Sequence, residues 1–282
     1  MDSVKTNQLK ATACKVRMGI IEAVHSAKSG HPGGSLSIAD VLTYLYFEKM
    51  NIDPKDPKNP LRDRLVLSKG HASPGIYSVL ANRGYFDLEL LKTFRKSDSI
   101  LQGHPDMKHI PGVDMTSGSL GQGISAACGM ALSSKHFGDN FRVYAILGDG
   151  ECEEGQVWEA AMFAAAKKLG NLTAFIDFNG LQIDGPVTDV NSPLPLDEKF
   201  AAFGWNVIVI DGHDFDAIEN AVAAAETVTD KPTAIVMKTT KGKGVSFMEN
   251  QVSWHGAAPN DEQYEIAMTE LKAELAKFEE VK

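Results

Sequence analysis

The tripeptide Gly148-Asp149-Gly150 follows an apolar run that ends at Leu147, and Asn179 follows the next such run. One helix fits between the two runs, which predicts adjacent parallel strands whose carboxyl ends meet at one edge of a sheet. There Asp149 and Asn179 would present a carboxylate and an amide oxygen, ligands that suit a hard cation such as Mg²⁺. Alone, the tripeptide is more typical of a tight strand-to-helix turn, but Asn179 at this spacing favours a cation site.

An anionic ligand is expected beside this cation, because Asp149 supplies little charge of its own. A diphosphate fits, since the glycines flanking Asp149 leave room for a phosphate group. The following helix, with Glu153 and Glu154 in its predicted first turn, would offer backbone N–H donors. The nearby Cys152 is interpreted as a packing residue.

Four of the eight histidines lie in glycine-containing loops. Imidazole, with an ordinary pKa of about 6.5, is the side chain suited to moving protons to and from hydroxyl groups at neutral pH. Any one of the four could be a loop histidine with a backbone partner, but the repeated pattern favours a ligand site. The four are His31, His71, His104 and His255.

Apolar runs alternate with helical patterns along the chain, which predicts an α/β fold with a central, mostly parallel sheet flanked by helices on both faces. The predicted strands, expected to be buried on both faces, are Leu65–Ser68, Arg142–Leu147, Thr173–Asp177, Asn206–Ile210 and Thr233–Lys238. The predicted helices are Ile38–Phe47, Ala72–Asn82, Leu120–Lys135, Gly155–Leu169, Leu196–Phe203 and Phe215–Thr227.

Local signals predict three further features. An N-terminal amphipathic helix should end at Gly30, and the stretch Ser29–Gly34 is too rich in glycine and proline to be helical. Residues 260–282 should form a C-terminal helix that begins with a capping box of Asn260 and Gln263. No change of composition divides the chain, so residues 1–282 are interpreted as a single domain.

Composition excludes several classes of function. The chain of 282 residues carries 28 Lys and Arg against 37 Asp and Glu, for a net charge of −9. Such an acidic balance without basic runs argues against nucleic-acid binding. The sequence contains no apolar run of about 18 residues and no signal-peptide pattern, so we expect a cytoplasmic protein that is neither exported nor inserted in a membrane. Three widely spaced cysteines indicate reduced thiols.

The motifs together resemble the transketolase family, a group of thiamine-diphosphate enzymes. The Gly-Asp-Gly motif with Asn179 resembles the cofactor motif, and the resemblance runs from about residue 7 to 260. The histidine loops are the transketolase-like part. They read Ser29-Gly-His-Pro-Gly33, Ser68-Lys-Gly-His-Ala72, Gln102-Gly-His-Pro105 and Trp254-His255-Gly256, with Gly118-Ser-Leu-Gly-Gln-Gly123 between them.

The resemblance assigns roles to individual residues. Mg²⁺, or Ca²⁺ or Mn²⁺ in its place, would be bound by Asp149, Asn179 and the backbone carbonyl of Leu181. The diphosphate would contact Gly150, Asn179, His71 and His255, and the cofactor rings would lie beside Gly118, Ser119 and Leu120. Ser119 stands where the family usually has proline. Glu154 would join an acidic network between paired active sites, and the substrate channel would be lined by His31, His71, His104 and His255.

The resemblance covers only the diphosphate-binding domain of the family. The pyrimidine-binding domain, with the glutamate that activates the cofactor, has no counterpart here. The chain is therefore expected to be the N-terminal subunit of a split transketolase, which moves a two-carbon ketol unit between sugar phosphates. It would act with a separate C-terminal subunit that carries the pyrimidine domain, in an α2β2 assembly.

Two other interpretations of the sequence stay open. One is the α-type subunit of a thiamine-diphosphate-dependent 2-oxo acid dehydrogenase, although the histidine loops count against it. The other is a non-catalytic metabolite-binding module. The segment Thr239–Gly244 could hold an anion through its backbone and lysine side chains, or it could form a mobile loop leading to His255. The sequence does not decide the role of Lys241 and Lys243.

Overall fold

A five-stranded parallel sheet forms the centre of the molecule in a computed structural model that describes residues 1–279. The strand order is β1-β2-β3-β7-β6, and every pairing is parallel. This confirms the predicted strands to within about a residue at each end. The strands are β1 (Arg64–Leu67), β2 (Val143–Gly148), β3 (Leu172–Phe178), β6 (Asn206–Asp211) and β7 (Thr233–Lys238). A small antiparallel hairpin of β4 (Leu181–Gln182) and β5 (Gly185–Pro186) was not predicted.

Helices cover both faces of the sheet, as expected. Successive residues of a strand point to opposite faces, so Tyr144 and Ile146 join one apolar core while Ala145 and Leu147 join the other. The described helices are α1 (Ser3–Ala27), α2 (Pro32–Leu36), α3 (Ala39–Tyr44), α4 (Ser73–Arg83), α5 (Gln122–Phe137), α6 (Gly155–Ala166), α7 (Val187–Asn191), α8 (Leu196–Ala202), α9 (Phe215–Thr227) and α10 (Asp261–Glu279). Among residues 1–279, none of these helices combines the length and the apolarity that a membrane span requires.

The strand β6 corrects the prediction that all strands are buried on both faces. It lies at the edge of the sheet, and Val209 in it is 44% exposed. Its apolar sequence resembles that of the central strands, because an apolar run does not reveal which strand will have only one neighbour.

The first two helices also differ from the prediction. Helix α1 ends at Ala27, and Lys28 closes it in a left-handed conformation with φ of 50°, two residues before Gly30. Gly33 and Gly34, predicted to be in a loop, lie in α2 because Pro32 occupies the first turn and presets its backbone. The predicted helix over 38–47 is divided into α3 and a π-helical turn at Leu45–Lys49.

Local signals correctly predicted where the last helix begins. The Asn260 N–H donates to Oε1 of Gln263 at 3.0 Å, and the Gln263 N–H donates to Oδ1 of Asn260 at 2.9 Å. This is the predicted capping box, and α10 follows it directly. Of the predicted helix, residues 280–282 lie outside the described part of the chain.

Candidate functional site

A cavity of about 240 Å³ opens at the carboxyl edge of the sheet. Strands β2 and β3 pair with Gly148 opposite Asp177, and this register brings the residues that follow each strand to the same wall. The cavity contains most of the predicted site residues. These are His31, His71, Gly118, Leu120, Asp149, Gly150, Asn179, Leu181 and His255.

Asp149 is a buried carboxylate at the wall of this cavity, 3% exposed. Its Oδ1 accepts from the Gly150 N–H at 2.8 Å and its Oδ2 from the Gly180 N–H at 2.6 Å. Burial and the nearby Asp177 raise the pKa of Asp149 to about 6. Among the described residues, no basic side chain forms an ion pair with it. A buried anion without a cationic partner is a site where a metal cation would be stabilised.

A buried salt bridge below Asn179 fixes the orientation of its amide. Lys69 Nζ donates to Asp177 Oδ2 at 2.6 Å, and Asn179 Nδ2 donates to the same oxygen at 3.0 Å. The amide oxygen of Asn179 is thereby turned away from Asp177, and it accepts from the Leu181 N–H at 3.1 Å. Burial would raise the pKa of Asp177, but Lys69 and three hydrogen bonds hold it below its ordinary value.

Lys241 brings a cation to the lining of the same cavity. Its side chain is 2% exposed, and Nζ donates to the Leu181 carbonyl oxygen at 3.0 Å and lies 3.0 Å from His255 Nδ1. Burial and the charge of Lys69 lower the pKa of Lys241 to about 8. The Leu181 carbonyl, predicted as a metal ligand, is therefore a hydrogen-bond acceptor of this ammonium group in the structure.

Three of the predicted histidines form a compact cluster. The His71 and His255 rings are stacked with centroids 5.2 Å apart, and the His31 ring lies edge-on to both, at 5.1 and 5.5 Å. Burial and nearby cations lower the pKa of His31 to about 4 and of His255 to about 3, and hold that of His71 well below 6.5. All three imidazoles are therefore neutral at pH 7. Nδ1 of His31 is buried and has no hydrogen-bond partner among the described residues.

The remaining predicted residues lie outside the cavity lining. His104 lies beside it, because a Cβ added to Gly118 would be 3.1 Å from the His104 ring. Ser119 and Glu154 are not buried. Glu154 also precedes α6 instead of lying in a helical turn, since a 3-10 turn at Gly150–Glu153 separates β2 from that helix.

A family profile matches the chain from residue 8 to residue 280, and its description is the thiamine diphosphate binding domain of transketolase. The chain belongs to the transketolase family. It is a transketolase-type component, and the domain that it forms is the one that binds thiamine diphosphate. The match confirms thiamine diphosphate as the cofactor and favours a transketolase over a 2-oxo acid dehydrogenase or a non-catalytic module.

Transketolase relatives fall into two groups by length. The 6-deoxy-6-sulfo-D-fructose transketolase subunit SqwG of a Clostridium species is 47% identical, over 95% of this chain and 98% of the relative. One of the subunits of the apulose-4-phosphate transketolase of Phocaeicola vulgatus is 40% identical, over 98% of this chain and 97% of the relative. Human transketolase is 43% identical over 90% of this chain but only 40% of its own length.

Solved transketolase structures share the fold. A transketolase from Pichia stipitis superposes with a TM-score of 0.87 at 32% identity, covering 99% of this chain and 45% of the other. The transketolase from Campylobacter jejuni superposes with a TM-score of 0.84 at 32% identity, covering 96% of this chain and 48% of the other. The chain thus spans less than half the length of these transketolases.

Sequence reasoning assigned no definite role to three groups of this cavity. They are the Lys69–Asp177 salt bridge, the ammonium group of Lys241, and the carboxylate of Glu151, which accepts from the Gly121 and Gly148 N–H groups at 2.9 and 3.0 Å. The local signal that they share is a charged residue near the carboxyl end of an apolar strand.

Proposed function

We propose that this chain is the diphosphate-binding half of a two-chain transketolase. The reaction is the transfer of a two-carbon ketol unit from a ketose phosphate to an aldose phosphate. The observation that carries the proposal is that Asp149, Asn179, Leu181, Lys241 and the histidine cluster line one cavity. A chain that matches 98% of one relative named as a subunit, but 40% of human transketolase, supports the two-chain form.

The donor set of the cavity fits a divalent cation with a diphosphate. A carboxylate, an amide oxygen and a backbone carbonyl are hard ligands of the kind that Mg²⁺ prefers, and Ca²⁺ or Mn²⁺ could replace it. These three ligands are too few to complete a coordination shell. Residues 1–279 contain no cluster of three or more His, Cys, Asp or Glu side chains that could hold a metal by themselves. Diphosphate oxygens would supply ligands that the chain lacks.

Several groups that line the cavity would hold the cofactor. Lys241, His71 and His255 would contact the diphosphate, along with the backbone of Gly150 and the amide of Asn179. The charge of Lys69 disfavours the charged form of Lys241, and an anion between the two lysines would relieve that repulsion. The segment Gly118, Ser119 and Leu120 would lie beside the rings of the cofactor.

Thiamine diphosphate supplies the nucleophilic carbon that accepts the ketol unit. The histidines supply proton transfer around it. A neutral imidazole can accept a proton from a sugar hydroxyl at one nitrogen or donate one from the other, and His31, His71 and His255 are neutral at pH 7. His104, at the rim, would contact the sugar further from the reacting carbon, and Glu154 would contribute to an acidic network between paired sites.

The partner is proposed to be a C-terminal transketolase subunit with the pyrimidine-binding domain, in a cytoplasmic α2β2 assembly. Relatives of the same length are named for different sugars, a sulfonated fructose in one case and apulose 4-phosphate in another. We infer that this half of the site serves both kinds of sugar and that the partner subunit selects among them.

Ketol transfer from xylulose 5-phosphate to ribose 5-phosphate tests the proposal. The assay contains thiamine diphosphate and Mg²⁺, with this chain alone, with the product of the neighbouring gene alone, and with both. We expect activity only when both chains are present. With the sulfonated sugar and apulose 4-phosphate also tested as donors, a mixture that binds no thiamine diphosphate and transfers from none of the three would refute the proposal.

A further inference from the structure

Next to the segment that carries Lys241 lies a cluster of three polar residues, of which Arg17 and Asp40 are buried and His213 is half-buried. Both terminal nitrogens of the Arg17 guanidinium group donate to Asp40, Nη1 to Oδ1 at 3.0 Å and Nη2 to Oδ2 at 2.6 Å. His213 Nδ1 lies 2.7 Å from the same Oδ2. Arg17 is 7% exposed and Asp40 5%. Burial would raise the pKa of Asp40, but Arg17 and His213 lower it to about 2, so the carboxylate is ionised.

The cluster determines which nitrogen of His213 carries the proton. The backbone N–H of Thr240 donates to Nε2 at 2.9 Å, so Nε2 is an acceptor. The proton of the neutral ring therefore lies on Nδ1 and is donated to Asp40. A third contact comes from Arg17, whose Nε donates to the Lys243 carbonyl at 3.1 Å. The cluster thus holds the backbone on both sides of Lys241.

The held segment cannot easily take another path. Gly242 has a φ of 78°, its N–H donates to the Gly33 carbonyl at 3.0 Å, and a Cβ at this position would lie 2.3 Å from the Met248 carbonyl oxygen. At the other side of Lys241, the Thr239 hydroxyl donates to Asp177. With its backbone fixed, the Lys241 side chain extends to the Leu181 carbonyl.

We propose that Arg17, Asp40 and His213 are positioning residues that aim the Lys241 ammonium group at the cofactor diphosphate. The inference rests on the proposed function for the identity of the ligand, but not for the position of Lys241. A buried ion pair is a weak source of stability, because desolvation of its charges offsets most of their attraction. Its value here is that it fixes the position of a loop whose lysine has to approach an anion closely.

Two variants of His213 separate positioning from packing. His213→Phe keeps a ring but removes both hydrogen-bonding nitrogens, whereas His213→Gln keeps an acceptor and a donor on a side chain of similar reach. Thiamine diphosphate affinity is measured by calorimetry with Mg²⁺ and the partner subunit present, alongside the melting temperature of each variant. We expect His213→Phe to weaken binding about tenfold and His213→Gln to restore most of it.

A second measurement needs neither the cofactor nor the partner. The isolated chain is acylated with an amine-reactive ester, and labelling at each lysine is followed by mass spectrometry. Lys241 should be labelled at least about threefold faster in His213→Phe than in the wild type, because the backbone hydrogen bond no longer holds it in the buried position. Exposed Lys238, at the end of β7, serves as the internal reference.

The outcomes are distinguishable. Faster Lys241 labelling together with weaker cofactor binding supports the inference. Unchanged labelling of Lys241 overturns it, and so does a lowered melting temperature with unchanged cofactor affinity, since both indicate a purely structural role. If the wild-type mixture binds no thiamine diphosphate, the proposed function fails, and the labelling result still decides whether His213 positions Lys241. Should His213→Phe not fold, Asp40→Asn replaces it in both measurements.

Discussion

At the scale of single residues, Asp149 is the group on which cation binding depends. Its pKa of about 6 means that a proton and a metal ion compete for the carboxylate near neutral pH. We therefore expect the affinity of the assembled enzyme for thiamine diphosphate with Mg²⁺ to fall as the pH drops below about 6 and to level off above pH 7. Calorimetry between pH 5 and 8 measures this dependence.

The Asp149→Ala variant should abolish Mg²⁺-dependent cofactor binding, because the one carboxylate facing the cation is lost. The exposed Asp189→Ala, on α7, is the matched control and should leave binding unchanged. Equal affinities in wild type and Asp149→Ala would show that the metal assignment is wrong.

His31 should act on turnover and not on cofactor binding. It is not expected to ligate the cation, and its buried Nδ1 lacks a hydrogen-bond partner among residues 1–279. In His31→Ala the Kd for thiamine diphosphate should stay within about twofold, while kcat falls about 10²-fold, the usual size of a lost proton-transfer group. A large loss of cofactor affinity with unchanged kcat would contradict this role. Steady-state kinetics and calorimetry on the same preparation separate the two.

At the scale of elements, α5 packs closely against the residue that follows β1. A Cβ added to Gly123 would lie 2.5 Å from the Ser68 Cα, closer than side chains pack. The Ser68 hydroxyl donates to Glu151, which also binds the Gly121 and Gly148 backbones. A shift of α5 would thus be transmitted to the cofactor loop.

Two glycines of the same helix provide a matched test. Gly123→Ala should destabilise the chain by about 1–3 kcal/mol through overpacking. Gly129→Ala, where a Cβ would meet nothing within 4 Å, should be neutral or stabilising by up to about 1 kcal/mol, because alanine favours helix. Urea unfolding of the isolated chain gives both values, and equal effects would refute the packing argument.

At the scale of the whole molecule, the histidine cluster couples folding to pH. A histidine whose pKa is lowered on folding binds its proton first in the unfolded state. It therefore destabilises the fold as the pH drops from about 6.5 toward its folded pKa. His255, with a folded pKa of about 3, contributes in this direction, while Asp149, whose pKa is raised, contributes in the opposite direction.

The His255→Gln variant isolates the contribution of one imidazole. Because glutamine does not titrate, the melting temperature of this variant should fall less between pH 7 and pH 5 than that of the wild type. Thermal melts of the isolated chain without metal or cofactor measure the difference. A steeper fall in the variant would mean that His255 is protonated in the folded chain.

The sequence by itself determined the features that depend on neighbours in the chain. Apolar runs with helices between them specified five parallel strands, and the capping box specified the start of α10. The juxtaposition of Asp149 and Asn179 also followed, because adjacent parallel strands leave little choice of where their carboxyl ends lie. The Gly-Asp-Gly motif, Asn179 and the histidine loops in combination were sufficient to identify the family.

The tertiary structure alone decided how distant segments meet. Lys69 pairs with Asp177, and Lys241 reaches the Leu181 carbonyl, across more than fifty residues of chain in each case. The edge position of β6 likewise depends on which strands pack beside it. Local sequence patterns reflect backbone preference and apolarity. The partner of a buried charge is decided only by the folded structure, because burial removes the water that would otherwise solvate the charge.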